Sequence, residues 1–146
     1  MAKLLVLHGP NLNLLGCREP DIYGKTTLAE INQSLQVRAV DHQIAFFQSQ
    51  AEHEICNEIH RAFQTGVDGI VFNPAAYTHT SIMLRDALLA TAIPFVEVHL
   101  SNIFAREPFR KQSFFSDIAI GVITGFGKCG YQAALDLLIN KLESDA

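Results

Sequence analysis

"KLLVLHGPNLNLLGCREPDIYGKTTLAEIN", residues 3–32, reads as strand, loop and helix in succession. Leu4, Leu5, Val6 and Leu7 follow one another with no polar alternation. A strand with one solvated face alternates, whereas a strand covered on both faces does not. Gly9, Pro10 and Asn11 stop the run early, so Lys3–His8 is a buried strand and not a signal peptide. At the other end, Thr27-x-x-Glu30 is a capping-box match, and Leu28, Ile31, Leu35 and Ala39 share one helical face. A helix is therefore expected from Thr27. The connection between is long for a compact domain, and such loops are often lids or binding loops.

The same alternation recurs along the chain. Strands are expected at residues 44–49, 69–73, 94–100 and 117–124. Ser49-x-x-Glu52 is a second capping-box match, opening a helix whose apolar face is Ile55, Ile59, Ala62 and Phe63. Gly66 suits a left-handed helix end. A third helix is expected from about His79 to Ala92, where Pro94 prevents continuation, and a last one from about Tyr131 to Leu142. Strands alternating with helices predict an α/β fold: a flavodoxin-like, doubly wound five-stranded parallel sheet with helices on both faces, in one domain over residues 1–146.

Bulk properties narrow the function. No apolar run is long enough for a membrane span, and the net charge of −4 disfavours general affinity for nucleic acid or anionic membranes. A local arginine cluster can still receive a small anion. Cys17, Cys56 and Cys129 are scattered without CxxC spacing, which fits a reduced, cytoplasmic setting.

In doubly wound sheets, ligands sit beyond the carboxyl ends of the strands. That rule selects "HGPNLNLLGCREPDIYG", "NPAAYTHTS" and "EVHLSNIFAREPFR". Asn11, Asn13, Arg18, Tyr23, Asn73, His79, Glu97, His99, Ser101, Arg106 and Arg110 could then share one rim. Glu97 and His99 are two apart in a strand and point to the same side. Burying both is costly unless they are paired or functional. Either Glu97 orients His99 and favours its charged form for proton donation, or the two are a satisfied ion pair at a strand end. Arg18 and Tyr23 also allow two readings. They are surface and packing residues of a loop, or a guanidinium that favours a phenolate. Lowering a phenol from its usual value of about 10 by about two units takes roughly 2.7 kcal/mol.

Other motifs carry less. "GFGKCG" (125–130) matches G-x-G-x-x-G, but it follows the last strand with no second βαβ unit after it, so a tight turn and close helix packing explain it better than a nucleotide. His53, Cys56 and His60 fall near one side of a helix, but no further cluster completes a metal shell, so a solvent-facing stripe is expected. There is no G-x-S-x-G elbow. No lysine of the chain sits in an evident apolar pocket, as a Schiff base would need.

Taken together, "HGPNLNLLGCREPDIYG", "NPAAYTHTS", "EVHLSNIFAREPFR" and "ITGFGKCGY" resemble the type II 3-dehydroquinate dehydratases, in the family's order and over most of the chain. The resemblance implies a lyase of the shikimate or quinate pathway. It would remove water reversibly from 3-dehydroquinate to give 3-dehydroshikimate, by anti elimination through an enolate, with no cofactor, metal or Schiff base. It also implies a cytoplasmic dodecamer built from four trimers. By the same resemblance, Tyr23 is the general base and Arg18, on a lid of about residues 16–25, favours its phenolate. His99 is the general acid, with Glu97 holding its ring. Asn11 stabilises the enolate through a water. Asn73, His79, Arg110 and the Leu100–Ser101 backbone hold the substrate, Asp86 makes a substrate-side or neighbouring-subunit contact, and Arg106 supports the basic environment of the tyrosine.

Three departures stand out. The family has glycine after "NP" where this chain has Ala75, so a positive φ there would be strained. Cys17 lies in the lid, and His53 replaces a small residue at the second helix.

Overall fold

The structure is a computed structural model. It describes residues 1–17 and 19–146, with Tyr23 described through its backbone alone. Five strands, β1 (Lys3–His8), β2 (Gln43–Gln48), β3 (Gly69–Asn73), β4 (Phe95–His99) and β5 (Gly121–Thr124), form one parallel sheet in the order β2-β1-β3-β4-β5. The helices are α1 (Pro20–Tyr23), α2 (Leu28–Arg38), α3 (Glu52–Gln64), α4 (Ile82–Thr91) and α5 (Lys128–Asp145). This is the doubly wound, flavodoxin-like arrangement expected from the alternation of apolar runs and amphipathic stretches.

The continuous apolar runs now have their reason. Leu4 and Val6 face a core built with Ile31 and Leu35 of α2 and Leu135 and Leu138 of α5. Leu5 and Leu7, one residue out of step, face a second core with Ile55 and Ile59 of α3 and Leu84 and Leu88 of α4. Each strand residue therefore meets a helix layer whichever way it points.

Local chemistry sets most of the helix boundaries. The Thr27 side chain accepts from Glu30 N–H at 3.2 Å, so α2 begins where the capping box placed it. Gly66 takes φ +77°, and Val67 N–H donates back to the Ala62 carbonyl at 2.9 Å, closing α3 with a left-handed end.

Several expected boundaries are corrected. Ser49 is not a helix cap: its Oγ accepts from Ala51 N–H, α3 starts at Glu52, and the Glu52 carboxylate instead accepts the Ser81 hydroxyl. The third helix starts at Ile82, not His79, because Ser81 Oγ accepts from Leu84 N–H and residues 75–79 form a separate 3-10 turn. Residues 117–120 are not strand. Their stretch folds into turns on Phe115, and Arg85 of α4 clamps Asp117 at 2.6 Å, so β5 begins only at Gly121, opposite Val96. Phe63 is exposed rather than on the buried face of α3. Helix α5 extends beyond its expected bounds at both ends.

The strand order brings the chain back across itself between β1 and β3. Gly9 N–H donates to the Asn73 carbonyl at 2.8 Å, and a Cβ on Gly9 would lie 2.3 Å from the Pro74 carbonyl oxygen. Only glycine allows these two loops to approach so closely. This is the topological switch point, where the fold leaves a crevice.

Candidate active site

A cavity of about 250 Å³ opens at that crevice, lined from the β1 end by Asn11, from the β3 end by Asn73, Ala75 and His79, and from the β4 end by His99, Leu100 and Ser101. Arg106 and Arg110, from the loop after β4, close its other side. Register aligns the strand ends: His8 stands beside Asn73, and His99 beside Thr124. A chain of net charge −4 thus concentrates two arginines and two histidines around one opening.

The Glu97–His99 pair is formed as the strand spacing predicts. His99 Nε2 meets Glu97 Oε2 at 2.5 Å, with Glu97 fully buried and His99 nearly so. The carboxylate also accepts from the Ser113 hydroxyl at 2.9 Å and the Ser116 hydroxyl at 2.7 Å. Burial by itself pushes a carboxyl group up. Here the hydrogen bond and charge of His99, with the two serines, outweigh it and hold Glu97 below the usual carboxylate range. A carboxylate with three donors is a fixed post, and it orients the imidazole whose remaining nitrogen is available at the cavity wall. Neither serine was legible in the sequence, because residues 111–116 read as part of no element until their fold over β4 was known.

His79 Nδ1 sits 2.7 Å from the Gln112 carbonyl, so it carries the proton and leaves Nε2 for a ligand. Burial, opposed by that backbone bond, keeps His79 below its ordinary pKa, so its Nε2 is an acceptor suited to a hydroxyl. Arg110 spends Nε on Glu107 at 2.9 Å and keeps its terminal nitrogens for an anion. Arg106 contacts the Ser101 hydroxyl at 3.4 Å. The Leu100 and Ser101 carbonyls accept from Gly127 N–H and the Thr124 hydroxyl, so the N–H groups are the part of this segment suited to a carboxylate. The "GFGKCG" glycines serve this packing: Gly125, at φ +96°, stands against Asn102.

Asn11 lies at φ +67°, and its N–H donates to Gln50 Oε1 at 2.8 Å, while Gln50 Nε2 donates to Asn13 at 2.9 Å. Gln50, unmarked in the sequence, thus holds the first loop in place. Asn13 is engaged there and does not line the cavity. Leu12 and Leu15, in the loop after β1, are buried in the core. Arg18 and the side chain of Tyr23 lie outside the described residues. Asp86 is exposed on α4 and is not part of the cavity wall. Ala75 takes φ +53°, a left-handed conformation that is strained for alanine and free for glycine. Among the described residues no cluster of His, Cys, Asp and Glu could hold a metal; Cys56 Sγ and His60 Nε2 are 3.7 Å apart on α3, beside an exposed His53.

A buried carboxylate–imidazole pair beside an arginine-lined rim, at the switch point of a flavodoxin-like sheet, defines an α/β enzyme equipped for acid–base chemistry on a small molecule. Comparison with known proteins makes this specific. The family described as dehydroquinase class II matches residues 2–139. The 3-dehydroquinate dehydratase of Ectopseudomonas mendocina is 61% identical over the full length of both chains. The 3-dehydroquinate dehydratase 1 of Pseudomonas aeruginosa is 59% identical over 98% of this chain and 99% of its own. The crystal structure of type II dehydroquinase from Butyrivibrio crossotus superposes with a TM-score of 0.92 at 40% identity, covering 94% of this chain and 97% of that one. The chain belongs to the class II dehydroquinase family.

Proposed function

We propose that the cavity at the β1–β3 switch point is where this 3-dehydroquinate dehydratase, a lyase of the shikimate pathway, removes water from its substrate. The observation that carries the reading is the buried Glu97–His99 pair at the cavity wall, its carboxylate fixed by Ser113 and Ser116. Binding alone needs no such acid.

The chemistry asks for a base, an enolate stabiliser and an acid. The hydrogen on C2 is weakly acidic because it neighbours a ketone. Tyr23, as phenolate, takes that proton, and the C–H electron pair moves into the enolate. Arg18 favours the phenolate by charge. Asn11, through a water, supports the negative oxygen. The enolate then collapses to form the C1–C2 double bond. His99 protonates the C1 hydroxyl, which leaves as water rather than as the poor leaving group hydroxide. The proton taken by Tyr23 and the one given by His99 balance, so the residues themselves supply each step. Asn73, Arg110 and the Leu100–Ser101 amides hold the carboxylate and a hydroxyl, His79 accepts from another hydroxyl, and Arg106 supports the basic side of the site. Closure of the lid, residues 16–25, excludes water and strengthens each electrostatic contact.

Asp86, exposed on α4, fits a contact to a neighbouring subunit in a dodecamer of four trimers. Exposed apolar side chains such as Phe104, Phe109 and Phe126 suit an assembling surface. Three free cysteines suit the cytoplasm. A monomer in sedimentation would overturn the assembly. For the chemistry, the test is turnover of 3-dehydroquinate followed by enone absorbance, in the native chain and in Tyr23→Phe. The variant loses roughly 10²–10⁴-fold or more in kcat, the span of one positioned acid or base. Near-native turnover in the variant refutes Tyr23 as base.

A further inference from the structure

Behind Asn73 at the cavity wall runs a chain of polar groups, Tyr131, His8 and Asn32, to which the mechanism gives no role. Ala75 N–H donates to Asn73 Oδ1 at 3.0 Å. A backbone N–H can only donate, so this contact settles the orientation of the Asn73 amide. Its Nδ2 then donates to the Tyr131 hydroxyl at 3.0 Å. Among the described residues His8 Nδ1, 2.9 Å away, is the one acceptor in contact with the Tyr131 hydroxyl, so it takes the phenol hydrogen. His8 must therefore be neutral with its proton on Nε2, which donates to Asn32 Oδ1 at 2.8 Å. His8 and Tyr131 are both fully buried, and Asn73 nearly so. Every polar atom along the path from Asn73 to His8 has a partner of the right kind, and only one direction of donation is consistent.

We infer that Tyr131 and His8 are positioning residues: their hydrogen-bonded pair locks the Asn73 amide so that its remaining Nδ2 hydrogen is presented to the substrate as a donor. The assignment rests on the reading of the cavity as the dehydration site. Neither residue touches the cavity itself, and α5 supplies Tyr131 from the opposite end of the chain. Without the phenol oxygen, the amide keeps only its Ala75 contact and is free to rotate. Without a neutral imidazole, the phenol hydrogen has no acceptor, and the same lock loosens one step further away. Burial supports that neutrality, pushing the His8 pKa down to about 4. Among the described residues no other ionisable group is hydrogen-bonded to His8, whose partners are Tyr131 and Asn32. Tyr131 is itself pushed above its ordinary value by burial, so it remains a neutral phenol throughout.

The test is a double-mutant cycle on steady-state kinetics with 3-dehydroquinate, joined to an amide measurement that needs no turnover. Tyr131→Phe is expected to raise KM roughly five- to tenfold, the equivalent of one misplaced hydrogen bond, with a smaller change in kcat. In an Asn73→Ala background the same substitution is expected to add nothing, because its effect passes through Asn73. A purely structural role gives additive losses instead and overturns the inference, as does an unchanged KM. His8→Asn carries the same cycle if Tyr131→Phe fails to fold. In parallel, the Asn73 side-chain amide resonance should exchange with solvent at least about tenfold faster in Tyr131→Phe than in the native chain. An unchanged rate overturns the lock directly. If the native chain does not turn over 3-dehydroquinate, the functional reading fails, and the amide measurement still decides this one.

Discussion

Lowering the pH should destabilise this protein through His8, and the size of the effect follows from its surroundings. The imidazole is fully buried and fixed as a neutral ring between a phenol donor and an amide acceptor. Protonating it would turn Nδ1 into a donor and leave the buried Tyr131 hydroxyl hydrogen without its acceptor. Burial lowers its pKa from 6.5 to about 4, against a weaker opposing pull from Asn32. In the unfolded chain the ring titrates near its ordinary value. Below pH about 6.5 the unfolded state therefore binds a proton that the folded state refuses. Stability is fully present above that value and is lost as pH falls through the window from 6.5 to about 4. At about 1.4 kcal/mol per pH unit, the whole window is worth about 3 kcal/mol, and the part down to pH 5 about 2 kcal/mol. His79, also depressed by burial, adds in the same direction, whereas Glu97 contributes only once the pH falls below the ordinary carboxylate range. Urea unfolding of the native chain and of His8→Asn at a series of pH values isolates the His8 share, because all other groups are common to both. The variant is less stable at neutral pH, and the gap should narrow by about 2 kcal/mol by pH 5. Parallel stability curves for the two proteins would refute the argument that His8 is held neutral.

Other outcomes follow from single positions. Ala75→Gly should stabilise the chain by about 1 kcal/mol, raising Tm by about 2–4 °C, since the left-handed backbone at φ +53° is strained for alanine and free for glycine; calorimetry showing no gain would mean the neighbouring contacts compensate. Gly9→Ala should cost at least about 3 kcal/mol or prevent folding, because its Cβ would meet backbone atoms of Pro74 that cannot swing aside; a native-like denaturation midpoint contradicts the close approach at the switch point. Glu97→Gln should keep the fold but lower kcat roughly 100-fold, as the imidazole loses its charged post; unchanged initial rates would show that His99 is oriented without it.

The sequence by itself determined the architecture. Leu4–Leu7 and Ile70–Phe72 have no polar alternation, so they could only be strands covered on both faces. Thr27 and Glu30 set a helix start by a contact spanning three residues. Such signals are local, and they survive whatever the rest of the chain does. The side of Glu97 and His99 was legible for the same reason, since strand geometry alone aligns residues two apart. The helix start expected at Ser49 failed because a distant partner intervened: Glu52 is committed to Ser81 across two helices.

Only the tertiary structure decided what surrounds these groups. Ser113 and Ser116 reach Glu97 from a loop 16 and 19 residues further on, and Tyr131 meets His8 across 123 residues. No periodicity encodes such pairs, because hydrogen bonds between loops and strand ends depend on how the layers stack rather than on spacing along the chain. The residues that carry charge were visible in the sequence. The neutral partners that fix their orientation became visible only when the sheet brought the strand ends into line.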